Sequence, residues 1–390
     1  MTMEVRIEGN EKILYPEGRI SADTVNEFEK EILNILEEHQ EPVLIFDMER
    51  LEYISSAGLR LFLKFAKQYN ENMTIRNVSS DIYEIFSVTG FTSIMKVEKR
   101  LREISVEGCE LLGHGACGAI YRIDDETIVK VYNDTMPKEK IEEGSGLARY
   151  ALLRGVPTAI AFDRVRVNGC DGAVFELLDA KSFQEIVRTN PDRLEEMTGI
   201  YVDFLRQLHE ITAEKSGDLD DARRFMQRPL NLLQGYLPDD MIEKIQRLLQ
   251  EMPEDLHLVH GDLHMKNLLY VKGEPMVIDM DTLCAGNFVF ELGRLATFYK
   301  LAPEIDDEFE SMFYGFPAGT CDYIWDRIRE SLTDPSDRQM LAKIMVIGYL
   351  NLARIARHHF INEPETLDQA TRHCAERIAD FLPGLDSLCI

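Results

Sequence analysis

The run His260-Gly261-Asp262-Leu263-His264-Met265-Lys266-Asn267 constrains this chain more than any other, because of the segment it leads into. Asn267 to Val271 reads as a short strand, Lys272-Gly273 is a turn signal, and Pro275 to Asp279 reads as a second strand. Such a hairpin begins with Asn267 and ends with Asp279, so the two side chains meet at one end, just after the loop that carries Asp262. Phosphoryl transfer needs a carboxylate to orient an acceptor hydroxyl and oxygen ligands for a divalent cation that bridges phosphates. Asp262 is placed for the first role, and Asn267 with Asp279 for the second. Any one of these residues could simply cap a turn. The ordered set, with two further elements upstream, is hard to explain that way.

The first upstream element is Gly113-His114-Gly115-Ala116-Cys117-Gly118, between two strand candidates. Alone it is a weak signal, since glycine clusters usually mark turns. Without side chains at Gly113, Gly115 and Gly118, however, backbone N–H groups can approach phosphate oxygens. The second is Lys130 in the apolar strand Ile128-Val129-Lys130-Val131. Its ammonium either reaches water along the strand edge or holds phosphates while pairing with a Glu on the next helix. Glu142 and Glu143 are both candidates for that partner, and Gly144 and Gly146 make their helix unusual.

Around these motifs the chain reads as two domains, α/β for residues 1–104 and α+β for 105–390. In the first, strands at Glu4–Glu8, Lys12–Tyr15, Val43–Phe46 and Met73–Val78 alternate with helices over Ala22–Leu36, from Ser56, and over Ile82–Val88. In the second, strands cluster at Glu110–Leu112, Ala119–Ile123, Thr127–Tyr132 and Ala173–Leu178, with a helix at Lys138–Leu153. After Ala180 helices dominate, as at Leu194–Ile211 and Met241–Glu251. This gives a β-rich lobe at 105–178 and a helical lobe at 179–390. The formal net charge of −26 excludes nucleic acid and anionic membranes as expected partners. It would suit a cationic acceptor, although a solvated acidic surface is the commoner cause. Seven scattered cysteines without a CxxC pair, no signal-type apolar start, and an apolar stretch at Leu341–Ala353 broken by Lys343 and Asn351 point to a soluble cytoplasmic protein without structural zinc.

With LVHGDLHMKN and VIDMD in view, residues 105–390 resemble the aminoglycoside phosphotransferase and choline kinase group of the protein-kinase-like fold. GVPTAIAF and AVFELLDAKS resemble a bacterial branch of it. The resemblance implies ATP and Mg2+ as cofactors, Asp262 as catalytic base, Asn267 and Asp279 as metal ligands and Lys130 as phosphate anchor. It implies that the backbone of Glu176–Leu178 holds adenine. His260 would brace the loop, Asp281 would assist the metal or orient Asp279, and Glu291 would cap the next helix or brace the catalytic loop. Protein kinases place Lys where His264 stands, Phe-Gly where Met280-Asp281 stands, and an Ala-Pro-Glu that has no counterpart here. These departures favour a small-molecule hydroxyl acceptor.

Residues 1–104 resemble the STAS, or anti-sigma-factor antagonist, family on Glu17-Gly18-Arg19-Ile20-Ser21-Ala22, Phe46-Asp47-Met48 and Tyr53-Ile54-Ser55-Ser56-Ala57-Gly58-Leu59. In that family a Ser at the start of the second helix is phosphorylated and switches partner binding. Ser56 holds that place, although Ser55 replaces the usual preceding Asp. The alternative is that Ser55 or Ser56 only caps the helix. The expected function is an ATP-dependent small-molecule phosphotransferase whose STAS module docks a protein or regulates the enzyme. The rival is a nucleotide-binding scaffold or partner-switching protein, which includes a kinase acting on its own Ser56.

Overall fold

The computed structural model describes residues 3–38, 43–69, 72–115, 118–133 and 136–390. The chain forms two compact units, Met1–Ser105 and Val106–Ile390.

The first unit is built on a five-stranded sheet in the order β1-β2-β4-β6-β7. Its strands are β1 (Met3–Glu8), β2 (Glu11–Pro16), β4 (Val43–Asp47), β6 (Met73–Val78) and β7 (Lys96–Lys99). β1 and β2 form an antiparallel hairpin, and the remaining neighbours pair in parallel. Helices α1 (Val25–Glu38), α2 (Ser56–Tyr69) and α3 (Ser80–Val88) alternate with the strands. Phe28 and Ile32 are buried one turn apart on α1, and Phe62 and Phe65 are buried on α2. Phe62 meets Phe46 of β4 edge to face at 5.0 Å and Phe28 at 6.1 Å.

Two short segments of this unit, β3 (Gly18–Ile20) and β5 (Leu51–Ile54), form a separate parallel pair. Three or four residues are too few for an alternation to be read, so no periodicity announces them. The pair fixes the start of α2, because Ser55 donates its N–H to Ile20 O at 2.8 Å. A short strand β8 (Arg102–Ile104) comes after β7.

In the second unit the strands β9 (Glu110–Gly115), β10 (Gly118–Arg122), β11 (Thr127–Tyr132), β12 (Ala161–Val167) and β13 (Cys170–Glu176) lie in the order β12-β13-β11-β10-β9. All neighbours among these are antiparallel. Helix α4 (Lys138–Leu153) packs on this sheet. Strand β12 is not legible in the sequence because a register shift between Ala161 and Asp163 breaks its alternation. Strand β13 ends at Glu176, two residues short of the expected Leu178, so Leu177 and Leu178 lie beyond the sheet.

The helical lobe holds β14 (Lys181–Ser182), α5 (Phe183–Thr189), α6 (Leu194–Glu210), α7 (Arg224–Leu232), α8 (Asp239–Glu251) and the short pair β15 (Leu258–Val259) and β18 (Cys284–Ala285). Between the last two comes the hairpin of β16 (Leu268–Val271) and β17 (Glu274–Val277). Its turn places Lys272 at φ 50° and Gly273 at φ 97°, both left-handed as a tight hairpin requires. Helices α9 (Val289–Ala296), α10 (Thr320–Leu332), α11 (Arg338–His359) and α12 (Pro364–Phe381) complete the lobe. Gly293 of α9 and Gly348 of α11 allow a close crossing, since a Cβ on Gly293 would lie 2.6 Å from Ile347 Cγ2.

A Cβ on Gly58 of α2 would lie 2.7 Å from Ile20 and 2.8 Å from Ile54, both buried. Gly58→Ala should therefore destabilise the first unit by about 1–3 kcal/mol, despite the better helix propensity of Ala. The measurement is the urea midpoint of amide protection in α2, and an unchanged midpoint would mean that Ile20 and Ile54 repack freely.

Candidate active site

The loop between β15 and β16 is held from several sides. Glu291 of α9, 1% exposed, accepts the N–H groups of His260 at 2.6 Å and Gly261 at 3.1 Å. Burial, opposed by His260 and these two N–H donors, leaves the carboxyl of Glu291 above its ordinary range. Of its two expected roles, Glu291 therefore occupies that of loop brace. The His260 ring accepts Asp262 N–H at Nδ1 (3.2 Å), and its Nε2 contacts Ile278 O at 3.2 Å. Thr282 donates its hydroxyl to His260 O at 2.7 Å. Below the loop, Met265 N–H reaches the Tyr299 hydroxyl at 2.8 Å, and the Tyr201 hydroxyl donates to Leu263 O.

The Asn267 amide nitrogen donates to Asp262 O at 2.9 Å and to Asp262 Oδ2 at 3.3 Å. Ile278 N–H bonds Asn267 O at 2.9 Å, which sets the end of the hairpin. The next residue, Asp279, adopts φ 66° and ψ 65°. A non-glycine residue in that region costs about 1–3 kcal/mol and persists only where its surroundings enforce it.

Lys130 of β11 reaches both carboxylates at this hairpin end, with Nζ 3.2 Å from Asp279 Oδ1 and 3.2 Å from Asp281 Oδ2. Burial alone would lower its pKa, but Asp279 and Asp281 outweigh burial and raise it. This corrects the expected pairing with a helix glutamate. Glu142 is exposed and bonds Arg164, while Glu143, also exposed, lies 3.7 Å from Lys140. The place that a glutamate would occupy is taken by Asp281 lying against Gly144 of α4. A Cβ on Gly144 would sit 2.3 Å from Asp281 Oδ1. The glycine that made this helix unusual is thus what lets the carboxylate in. Burial first, and Asp279 second, push the carboxyl of Asp281 up, against the pull of Lys130.

The glycine-rich motif is the β9–β10 hairpin, closed by the pair Gly115 and Gly118, with Ala116 and Cys117 outside the described residues. Gly118 has φ 152° and lies so near Val131 O that a Cβ would come within 2.0 Å of it. Gly113 is open, with nothing within 4 Å of an added Cβ. At the edge after β13, Glu176 N–H bonds Ile160 O at 2.9 Å and Leu177 N–H bonds Glu126 O at 2.7 Å. The N–H of Leu178 has no hydrogen-bond partner among the described residues.

Asp262 carries the densest electrostatics. Burial raises its pKa, yet Arg294, His264 and His260 outweigh burial and lower it. Arg294 Nη2 lies 2.9 Å from Asp262 Oδ1, and His264 Nε2 lies 3.8 Å from Oδ2. The buried His264 is pulled down to about 4, so it is neutral at physiological pH. Arg294 is a site residue that the sequence motifs do not mark. Its signal is an arginine inside a helix whose every residue from Val289 to Ala296 is buried. A cleft of about 770 Å3 is bordered by Glu143 and Tyr150 of α4, by Lys215 and Glu254, and, of the site residues described above, by Asp281.

In the first unit, Ser55 Oγ accepts Gly58 N–H at 3.4 Å, a weak cap of α2. Ser56 is the first residue of that helix and is exposed.

Gly144→Ala should displace Asp281 and deprive Lys130 of one carboxylate. Losing that partner lowers the lysine pKa, so more neutral amine is present at a given pH and acylation of Lys130 should accelerate about tenfold per unit of pKa lost. Competitive labelling with acetic anhydride, read by mass spectrometry, measures it. An unchanged rate would mean that Asp281 does not hold the lysine.

Residues 108–330 match the phosphotransferase enzyme family, APH, and residues 2–104 match the STAS domain. BtrV of Bordetella bronchiseptica, named as an anti-sigma factor antagonist, is 31% identical over 84 residues, which are 21% of this chain and 72% of BtrV. A thermostable mutant of aminoglycoside phosphotransferase APH(4)-Ia is 13% identical over 71% of this chain and 95% of that one, with a TM-score of 0.48. A choline/ethanolamine kinase family protein from Mesorhizobium loti is 15% identical over 70% and 90%, with a TM-score of 0.46. The family match spans more than half of the 390 residues. The chain therefore belongs to the phosphotransferase enzyme family and carries a STAS domain ahead of its phosphotransferase domain.

Proposed function

We propose that the chain transfers the γ-phosphoryl group of ATP to a hydroxyl of a small molecule, in the cytoplasm, with the STAS unit as a docking or regulatory module. The observation that carries this reading is the meeting of Lys130 with Asp279 at the end of the hairpin whose other strand begins beside Asn267 and the Asp262 loop. Asp262, kept ionised by Arg294, orients the acceptor hydroxyl and takes its proton as the oxygen bonds to phosphorus and the bond to the ADP leaving group breaks. Lys130 holds the α- and β-phosphates, the backbone of Gly113, Gly115 and Gly118 covers them, and the Glu176–Leu178 edge receives adenine. The residues fit Mg2+: the Asn267 nitrogen is tied to Asp262 and Asp279 Oδ1 to Lys130, so the Asn267 amide oxygen and Asp279 Oδ2 remain as hard oxygen ligands. When bound, the ion would neutralise phosphate charge through the transfer. Glu143, beside Lys140 on the exposed face of α4, has no part in this scheme.

Ser56, exposed in the first turn of α2, is the residue through which phosphorylation would alter a partner surface of the STAS unit.

Asp262→Asn should lower acceptor-dependent ADP formation by about 10²–10⁴-fold while the protein still binds ATP. Asp279→Ala should be at least as damaging and should abolish the response to Mg2+. Steady-state assays with calorimetric ATP titration measure both, and near-normal turnover in either variant would overturn the role given to that residue.

A further inference from the structure

The net charge of the chain is −26, yet the surroundings of Asp262 are cationic. Arg294 has a side chain 9% exposed; one nitrogen bonds Asp262 Oδ1 at 2.9 Å, while Nε and Nη1 are buried without a hydrogen-bond partner. Its guanidinium also stacks over Phe298 at 4.8 Å. Helix α11, which crosses α9 closely at Gly293 and Gly348, carries Arg354 within the range of the charges on Arg294 and Asp262. Burial first, and the charge of Arg294 second, pull Arg354 down to about 10, with Arg228 of α7 pulling the same way and Asp262 opposing. Neither Arg354 nor Arg228 makes an ion pair or hydrogen bond to any described residue. One arginine balancing one carboxylate would be an ordinary buried pair. Arg294 and Arg354 beside one carboxylate, with His264 neutral, leave a positive charge that no described side chain pairs with, whereas Arg228 is exposed to solvent.

We propose that these arginines form an acceptor subsite for an anion, and that the substrate is an alcohol carrying a carboxylate or phosphate group close to its reactive hydroxyl. The inference rests on the phosphotransferase reading above. An acceptor oxygen must come within about 2.6–3.2 Å of the Asp262 carboxylate. Arg294 Nη2 is 2.9 Å from the same carboxylate, so an acid group a few bonds from the hydroxyl lies within guanidinium reach. Guanidinium groups bind carboxylate and phosphate with paired, charge-assisted hydrogen bonds, and two nitrogens of Arg294 have no partner among the described residues. An ammonium-bearing acceptor such as choline or an amino sugar would bring a like charge into this field instead.

The test compares D-glycerate, sn-glycerol 3-phosphate, choline and neamine as acceptors with MgATP, and titrates the two anions and inorganic sulfate calorimetrically into the full-length protein. An anion is expected to stimulate ADP formation, choline and neamine are not, and the glycerate and glycerol phosphate arms distinguish carboxylate from phosphate. Arg354→Glu should lower kcat/KM for the active anion by about 100-fold with nucleotide affinity kept, and Arg354→Lys should recover part of the loss. Anion binding that depends on Arg354, without transfer to any acceptor, would uphold the subsite and count against the phosphotransferase reading. Stimulation by choline or neamine alone would overturn the subsite. So would failure of all three anions to bind below about 10 mM, or anion binding indifferent to Arg354→Glu.

Discussion

A buried carboxylate, Glu291, holds the backbone turn on which the rest of the site is mounted. Two N–H groups in the turn at Gly261, which has φ 75°, need an acceptor where water cannot reach, and one Glu291 oxygen serves both. Because α9 supplies that oxygen, the loop is referenced to the helix and not to the short strands on either side of it. Arg294 stands one turn further along the same helix and reaches Asp262. One rigid element therefore sets both the position of the loop backbone and the charge state of its carboxylate.

Legibility in the sequence tracked the strength of local signals. Strands Met73–Val78 and Thr127–Tyr132 and the helix Lys138–Leu153 have the bounds their residue patterns predict. The hairpin was readable because Lys272-Gly273 fixes its turn, and with it the meeting of its two ends. What could not be read was contact between segments far apart in the chain. Asp281 lies 151 residues from Lys130, and nothing local separates it from Glu142 or Glu143 as a partner. Gly144 carried the missing information, as the absence of a side chain where another side chain must fit. Arg354 was invisible for a similar reason: on its own helix it looks like a solvated charge, and only the packing of α9 against α11 brings it near Arg294.

Overall composition was a poor guide to the site. The acidic balance describes solvated faces, where carboxylates cost little. Around Asp262 the balance is set at close range by Arg294, on a buried helix, and not by a dispersed charge that solvent screens.

The two ion pairs of Lys130 have a mechanical side. Strand β11 belongs to the sheet, whereas Asp279 and Asp281 stand at the end of a hairpin in the helical lobe. In an arrangement where the lysine answers to a glutamate on α4, both partners ride on the same lobe, and rotation of the helix alone can break the contact. Here the lysine spans the seam between the lobes. Prising them apart must strip a mostly buried ammonium of both its carboxylates at once, which makes the pair a latch, and nucleotide phosphates entering beside Lys130 would compete for the cation that keeps it shut.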